Sequence, residues 1–239
     1  MSKATRNIEP LTPDKQKRYA IIIPAAGCGY RLNSTEPKCM INVGGQTIIH
    51  RQLQNINSVF PKGEIIIVTG HRAEYIEERI PQNIKRVRNN DFDKTNVIYS
   101  VGLALEQVTC DAILVIYGDL VFNKTMINLP FGKESSLVIS KTMSSKEIGV
   151  NIEGDKVVNL FYELPHKWSQ ISYYTGKELV LLREIACDVA NKRMYGFECI
   201  NRILDMGGKF KALTPKNGVA IDIDTNYDIS LARKNYASM

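Results

Sequence analysis

The chain has 239 residues, 44% of them hydrophobic and 23% charged, which fits one large α/β domain with a substantial core. No apolar run approaches the roughly 20 residues that span a bilayer, and the N-terminus is too polar for a signal peptide, so a cytoplasmic location without a membrane span is expected. The formal charge of +6 sits largely in the N-terminal segment (Lys3, Arg6, Lys15, Lys17, Arg18) and near Arg233 and Lys234, and no nucleic-acid module accompanies it; anionic small substrates are expected, not nucleic acid.

Residues 1–18 are polar and carry Pro10 and Pro13, which reads as a flexible arm. An apolar strand, Ala20-Ile21-Ile22-Ile23, then feeds a turn of small residues, Pro24-Ala25-Ala26-Gly27-Cys28-Gly29, followed by Arg31 and Pro37-Lys38. Small residues after a strand let main-chain N–H groups approach a ligand, and N–H groups with Arg and Lys suit a polyphosphate. Neither better-known phosphate loop fits: Lys38 lies well beyond the glycines and precedes Cys39, and the third glycine of the dinucleotide fingerprint is missing.

Thr47–Ser58 has helical apolar spacing, Glu64–Thr69 reads as a buried strand, Ala73–Ile80 as a short helix stopped by Pro81, and Ile84–Val87 as a further strand. A polar loop, Asn89–Asn96, leads into a helix over Val97–Gln107 and then a strong strand, Ala112–Tyr117, ending at Gly118-Asp119. Strands that are continuous apolar runs alternating with helices imply a parallel sheet covered on both faces, with ligands at the carboxyl ends of its strands.

The second half changes texture. Short strands over Ser136–Lys141, Gly149–Ile152, Val157–Leu160 and Ile171–Thr175 suggest a small antiparallel excursion. Helices follow over Lys177–Asn191 and Phe197–Met206, then strands Phe210–Leu213 and Val219–Ile223 and a helix near Tyr227–Asn235. The five cysteines (Cys28, Cys39, Cys110, Cys187, Cys199) are scattered without a C-x-x-C pair, against a disulfide framework or a zinc site. Cys28 and Cys39 flank the loop, but neither His50 nor His71 has an evident reason to serve either as a base.

Ala25, Ala26, Gly27, Gly29, Arg31, Pro37 and Lys38 together match the A-A-G-x-G-x-R and P-K pattern of a nucleotidyltransferase family. The chain resembles that family, which includes sugar-nucleotide pyrophosphorylases and the phosphocholine, phosphonate and methylerythritol cytidylyltransferases. The resemblance implies a single Rossmann-like domain over 19–239, with a nucleotide-binding half (19–123) and an acceptor-binding and C-terminal half (124–239). It implies transfer of a nucleotidyl group to a phosphorylated or phosphonate acceptor, with release of pyrophosphate and with Mg²⁺ as the metal. A homo-oligomer is compatible with it.

By the same resemblance Asp119 is a Mg²⁺ ligand; its alternative is a helix N-cap before Val121–Met126. Ala220-Ile221-Asp222-Ile223-Asp224-Thr225 is similar to the second acidic motif, and strand alternation puts Asp222 and Asp224 on one face. Sugar-type members point to Asp222 as the ligand and choline-type members to Asp224. Arg31 and Lys38 would bind the triphosphate, with surface ion pairs as the ordinary alternative. Asn96–Leu103 resembles a cytidylyltransferase segment, which makes Asn96 and Ser100 candidates for the nucleoside, each with a cap or a solvent-facing polar residue as the alternative, and Ala25 and Gly27 candidates to read the base through their main chain.

On the acceptor side, Tyr162, Trp168, Tyr173 and Tyr174 would suit a cationic head group, or else simple sheet packing. Glu163, Glu178 and Glu198 are candidates for an amine, and Glu198 with Asn201 resembles a choline-type E-x-x-N feature. CTP is the favoured nucleotide. A sugar-1-phosphate uridylyl- or guanylyltransferase is the alternative enzyme, and a noncatalytic nucleotide-binding regulatory protein the alternative from another class.

Overall fold

The computed structural model describes residues 18–29, 32, 36–140 and 147–236. Residues 1–17 of the expected arm lie outside them, as does Arg31. Arg18, the arm's last residue, is tied to Asp111: its N–H donates to Asp111 Oδ2 at 3.0 Å, and its carbonyl accepts from the Asp111 N–H at 2.8 Å.

In chain order the strands and helices are β1 (Tyr19–Pro24), β2 (Asn42–Val43), β3 (Gln46–Thr47), α1 (Ile48–Val59), β4 (Glu64–Thr69), α2 (Ala73–Glu77), β5 (Lys85–Arg88), α3 (Val97–Leu105), β6 (Ala112–Ile116) and β7 (Leu120–Phe122). The second half supplies β8 (Ser136–Ser140), β9 (Ile148–Glu153), β10 (Lys156–Tyr162), β11 (His166–Thr175), α4 (Gly176–Cys187), α5 (Gly196–Asp205), β12 (Lys211–Leu213), β13 (Ala220–Asp222) and α6 (Asn226–Tyr236).

Among the described residues the main sheet has the order β5-β4-β1-β6-β11-β8-β12-β10-β9. Its first four strands are parallel. From β11 outward the pairings are antiparallel except β12 with β8, so the sheet is mixed, and the antiparallel strands of the second half continue it. This is a Rossmann-like α/β fold, and chain connectivity reverses direction at β1, between β4 and β6. Such a reversal opens a crevice at the strands' carboxyl ends.

The continuous apolar runs follow from burial on both faces. Along β1, Ala20 and Ile22 join one core with α3, α4 and α5, while Ile21 and Ile23 join another with α1 and α2. The period-2 alternation thus feeds two cores from one tetrapeptide. A third cluster joins Val43 and Ile48 to Ile221, Ile223 and Ala232, which seats α6 on the β2–β3 hairpin.

Several local expectations change. The helix expected over Val121–Met126 is strand β7 followed by a short 3-10 turn at Lys124–Met126, because Leu120–Phe122 pair with Ala220–Asp222. Asp119 is therefore not the N-cap of a helix there. The helix over Lys177–Asn191 stops at Cys187, where Asp188 turns extended and its side chain caps a separate turn by accepting from the Ala190 N–H. α2 ends at Glu77, three residues short of the expected Ile80.

Candidate active site

The loop after β1 is pinned on one side and open on the other. The Ala25 N–H donates to the Val68 carbonyl at 2.8 Å, and the Ala26 carbonyl accepts from the His71 N–H at 3.0 Å. Those two main-chain groups are used within the fold, while Ala25, Ala26, Gly27 and Gly29 all line the cavity. Gly29 has φ +61°, and a Cβ there would come within 2.9 Å of Lys38 Cγ. Glycine thus permits both the left-handed turn and the passage of the Lys38 stem across it.

The cavity, of about 670 Å³, lies over the carboxyl ends of β1 and β6. That is within the roughly 300–1,000 Å³ of small-molecule sites. Pro24–Gly27, Lys38, Asn96, Ser100 and Asp119 line it from the first half, and Trp168, Gln170, Asp222 and Asp224 from the second.

The three expected carboxylates meet at one end. Asp119, Asp222 and Asp224 each place an oxygen so that all lie within 4.8 Å of one another. The antiparallel pairing of β13 with β7 sets Asp222 opposite Leu120, and the Ile223 N–H donates to the Asp119 carbonyl at 3.1 Å. β13 ends at Asp222, so strand alternation alone does not account for Asp224. Asp224 is brought in by a turn closed by Asp228, whose Oδ2 accepts from the Asp224 N–H at 3.1 Å and the Thr225 N–H at 2.7 Å.

Lys38 stands among these acids. Its Nζ donates to Asp119 Oδ2 at 3.1 Å and to Asp224 Oδ1 at 2.5 Å. Burial alone would lower its pKa, but the charges of Asp119, Asp224 and Asp222 outweigh that and raise it, so the ammonium is fully charged near neutrality. Asp222 shows the opposite balance. Burial first, then the charges of Asp119 and Asp224, push its carboxyl up to about 7, against the pull of Lys38.

The donor set consists of hard oxygens, the chemistry suited to Mg²⁺. Asp222 Oδ1 is buried without a hydrogen-bond partner among the described residues, as an oxygen awaiting a cation would be. The three aspartates therefore fit a divalent ion. Arg31 lies outside the described residues, so its expected role acquires no geometry.

The nucleoside candidates are also at the cavity, but in fixed roles. Ser100 is buried, and its Oγ accepts from Asn89 Nδ2 at 3.1 Å; that amide also donates to Thr95 at 2.9 Å. The Asn96 side chain gives no cap to α3 and donates instead to the Arg193 carbonyl, which ties the polar loop to the second half.

Of the four aromatic residues, Trp168 and Tyr162 line the cavity. Tyr173 and Tyr174 are buried in opposite cores, against Phe131 and Phe210 respectively. Glu198 accepts from the Tyr195 N–H at 2.7 Å, Asn201 bonds both main-chain groups of Leu160, and Glu178 holds Ser135 and the Lys209 N–H. These three side chains serve the fold.

Further residues, in the cavity wall and behind it, carry the site. Gln52 on α1 is buried and donates to the carbonyls of Tyr117 and Leu120, at 2.8 and 2.7 Å, which clamps the turn bearing Asp119. Lys167 is buried at the wall beside Glu147, with which it forms an ion pair. Asp228 was legible in principle, because Thr225-x-x-Asp228 is a capping-box pattern opening α6.

Residues 21–129 match the MobA-like NTP transferase domain. The bifunctional protein GlmU of Francisella philomiragia subsp. philomiragia is 29% identical over 133 residues, 55% of this chain but 29% of that relative, so the match spans under a third of the relative's length. The inositol-1-phosphate CTP transferase from T. maritima shares the fold, with a TM-score of 0.74 and 18% identity over 91% of this chain and 96% of that one. A nucleoside-diphosphate-sugar pyrophosphorylase from Vibrio cholerae RC9 does so with a TM-score of 0.70 and 16% identity over 90% of this chain and 99% of that one. The loop and the strand order go with these matches: residues 21–129 are similar to a MobA-like NTP transferase domain, and the fold is the one these transferases share.

Proposed function

We propose that the protein is a Mg²⁺-dependent cytidylyltransferase that joins CTP to a small phosphorylated or phosphonate acceptor and releases pyrophosphate. The observation that carries this reading is the meeting of Lys38 with Asp119, Asp222 and Asp224 at the carboxyl ends of β1 and β6, beside a loop of small residues. An acceptor oxyanion attacks the α-phosphorus, the bond to the bridging oxygen breaks, and pyrophosphate leaves. The nucleophile is already anionic, so no side-chain base is required; the obstacle is accumulated negative charge. Asp119, Asp222 and Asp224 would hold the divalent ion, which supplies charge neutralisation when bound. Lys38 contributes a movable point charge, carried across the loop by the opening at Gly29.

CTP is favoured because Asn96–Leu103 resembles the cytidylyltransferase segment and because Asn89, Asn96 and Ser100 form one polar wall of the cavity. The neighbour from T. maritima is named as a CTP transferase. A sugar-1-phosphate transferase is the second reading, favoured by the D-I-x-T form of Asp222-Ile223-Asp224-Thr225.

A pyrophosphate-release screen crossing four nucleoside triphosphates with small phosphate, phosphonate and sugar 1-phosphate acceptors separates the two. Each buried polar group left unpaired by the wrong base costs about 1–3 kcal/mol, so CTP is expected to exceed UTP by more than about tenfold in kcat/KM. Equal turnover of the two, or a preference for UTP or GTP with a sugar 1-phosphate, would overturn the cytidylyl assignment.

A further inference from the structure

β11 breaks its pairing where it passes the end of β6. Its register with β8 shifts between Trp168 and Ser172, where four steps along β11 match two along β8. Inside this bulge Gln170 has φ +56°, a left-handed backbone that a side chain with a Cβ disfavours. The Trp168 indole N–H donates to Ser172 Oγ at 3.2 Å across the bulge, and the Gln170 carbonyl accepts from the Tyr117 N–H at 3.4 Å. The bend is thus held from both sides.

The bulge delivers the Gln170 amide to the acidic cluster. Gln170 Nε2 donates to Asp222 Oδ2 at 2.8 Å, while Asp222 Oδ1 and Gln170 Oε1 are both buried without a partner among the described residues. An acceptor-only carboxylate gains orientation from one fixed donor, and a neutral amide supplies it without adding charge. Strain that persists at such a point is retained where surrounding contacts impose it, and it concentrates at functional sites.

We infer that Gln170 is a positioning residue for Asp222: its amide fixes Oδ2 and reserves Oδ1 for the cation. This rests on the reading that Asp119, Asp222 and Asp224 hold a divalent ion. An amide that orients a ligand without touching the metal commonly changes affinity by about 10- to 100-fold when removed.

The test is Mn²⁺ binding to the intact chain, followed by electron paramagnetic resonance without nucleotide, alongside thermal unfolding of the metal-free protein. Gln170→Leu keeps the side-chain bulk and removes the donor. Gln170→Gly removes the donor and relieves the left-handed strain. Both are expected to weaken Mn²⁺ binding by about tenfold or more, with Gln170→Gly at least as heat-stable as the native chain.

Asp119→Asn serves as the control for the metal site. Native binding that Asp119→Asn weakens but both Gln170 variants leave unchanged would overturn the role of Gln170 alone. No native binding, or binding indifferent to Asp119→Asn, would overturn the metal-site reading itself. If Gln170→Leu weakens binding only in proportion to a lost fold while Gln170→Gly binds as the native chain does, the bulge is structural and the inference fails.

Discussion

Lys38 Nζ lies 2.5 Å from Asp224 Oδ1, although 186 residues separate the two in sequence. The contact closes the cavity's acidic end by joining the loop after β1 to the turn that opens α6. It also sets the charge balance of the site, since the same ammonium donates to Asp119 at 3.1 Å.

Lys38→Ala is expected to lower kcat by about a hundredfold or more, the range for removing a preorganised charge partner. Steady-state kinetics with varied nucleotide check this. An unchanged kcat with only a raised KM would make Lys38 a uniform binder and refute its assigned role.

Cys39, although next to Lys38 in sequence, is expected to be chemically silent. It is buried, and burial followed by the charge of Asp119 pushes its thiol up to about 12. Alkylation of the native protein near neutral pH, read by mass spectrometry, should modify the exposed Cys187 and leave Cys39 intact. Cys39→Ala should retain kcat within about threefold, because a buried protonated thiol offers neither nucleophile nor ligand.

Glu77 connects the fold to acid stability. Its carboxylate accepts from Arg88 Nε at 2.8 Å and Arg88 Nη2 at 2.7 Å, and from Thr69 Oγ1 at 2.7 Å. The hydrogen bonds from Arg88 lead in holding its pKa below the ordinary value. A depressed carboxylate stabilises the fold fully above the unfolded-state value of about 4.3, and that contribution disappears as pH falls through the folded-state value. Thermal unfolding should therefore show Glu77→Gln less stable than the native chain at neutral pH. The gap should close on acidification, and a gap independent of pH would contradict the assignment.

Much of this was legible in the sequence because single strands and short loops carry it. The continuous apolar run Ala20–Ile23 announced a strand buried on both faces, and Asp119 was placed by the apolar run it follows. What stayed hidden depends on long-range register. Gln170 looks like any polar residue of an antiparallel strand until the bulge turns it toward Asp222. Gln52 reads as a surface residue of an amphipathic helix until the turn at Tyr117–Leu120 presents two carbonyls to it. The helix expected after Asp119 failed because pairing between β7 and β13 overrides the local preference of Val121–Met126.

The proposed transfer of a nucleotidyl group requires the carboxylate cluster and a divalent ion. Its most direct test is pyrophosphate release from CTP with a phosphorylated acceptor, measured with Mg²⁺ and again with excess chelator, on the native chain and on Asp119→Asn. Release should occur with Mg²⁺, stop with chelator, and fall in Asp119→Asn by about a hundredfold or more, with unfolding temperature little changed. Full release in excess chelator, or an Asp119→Asn variant as active as the native chain, would contradict it.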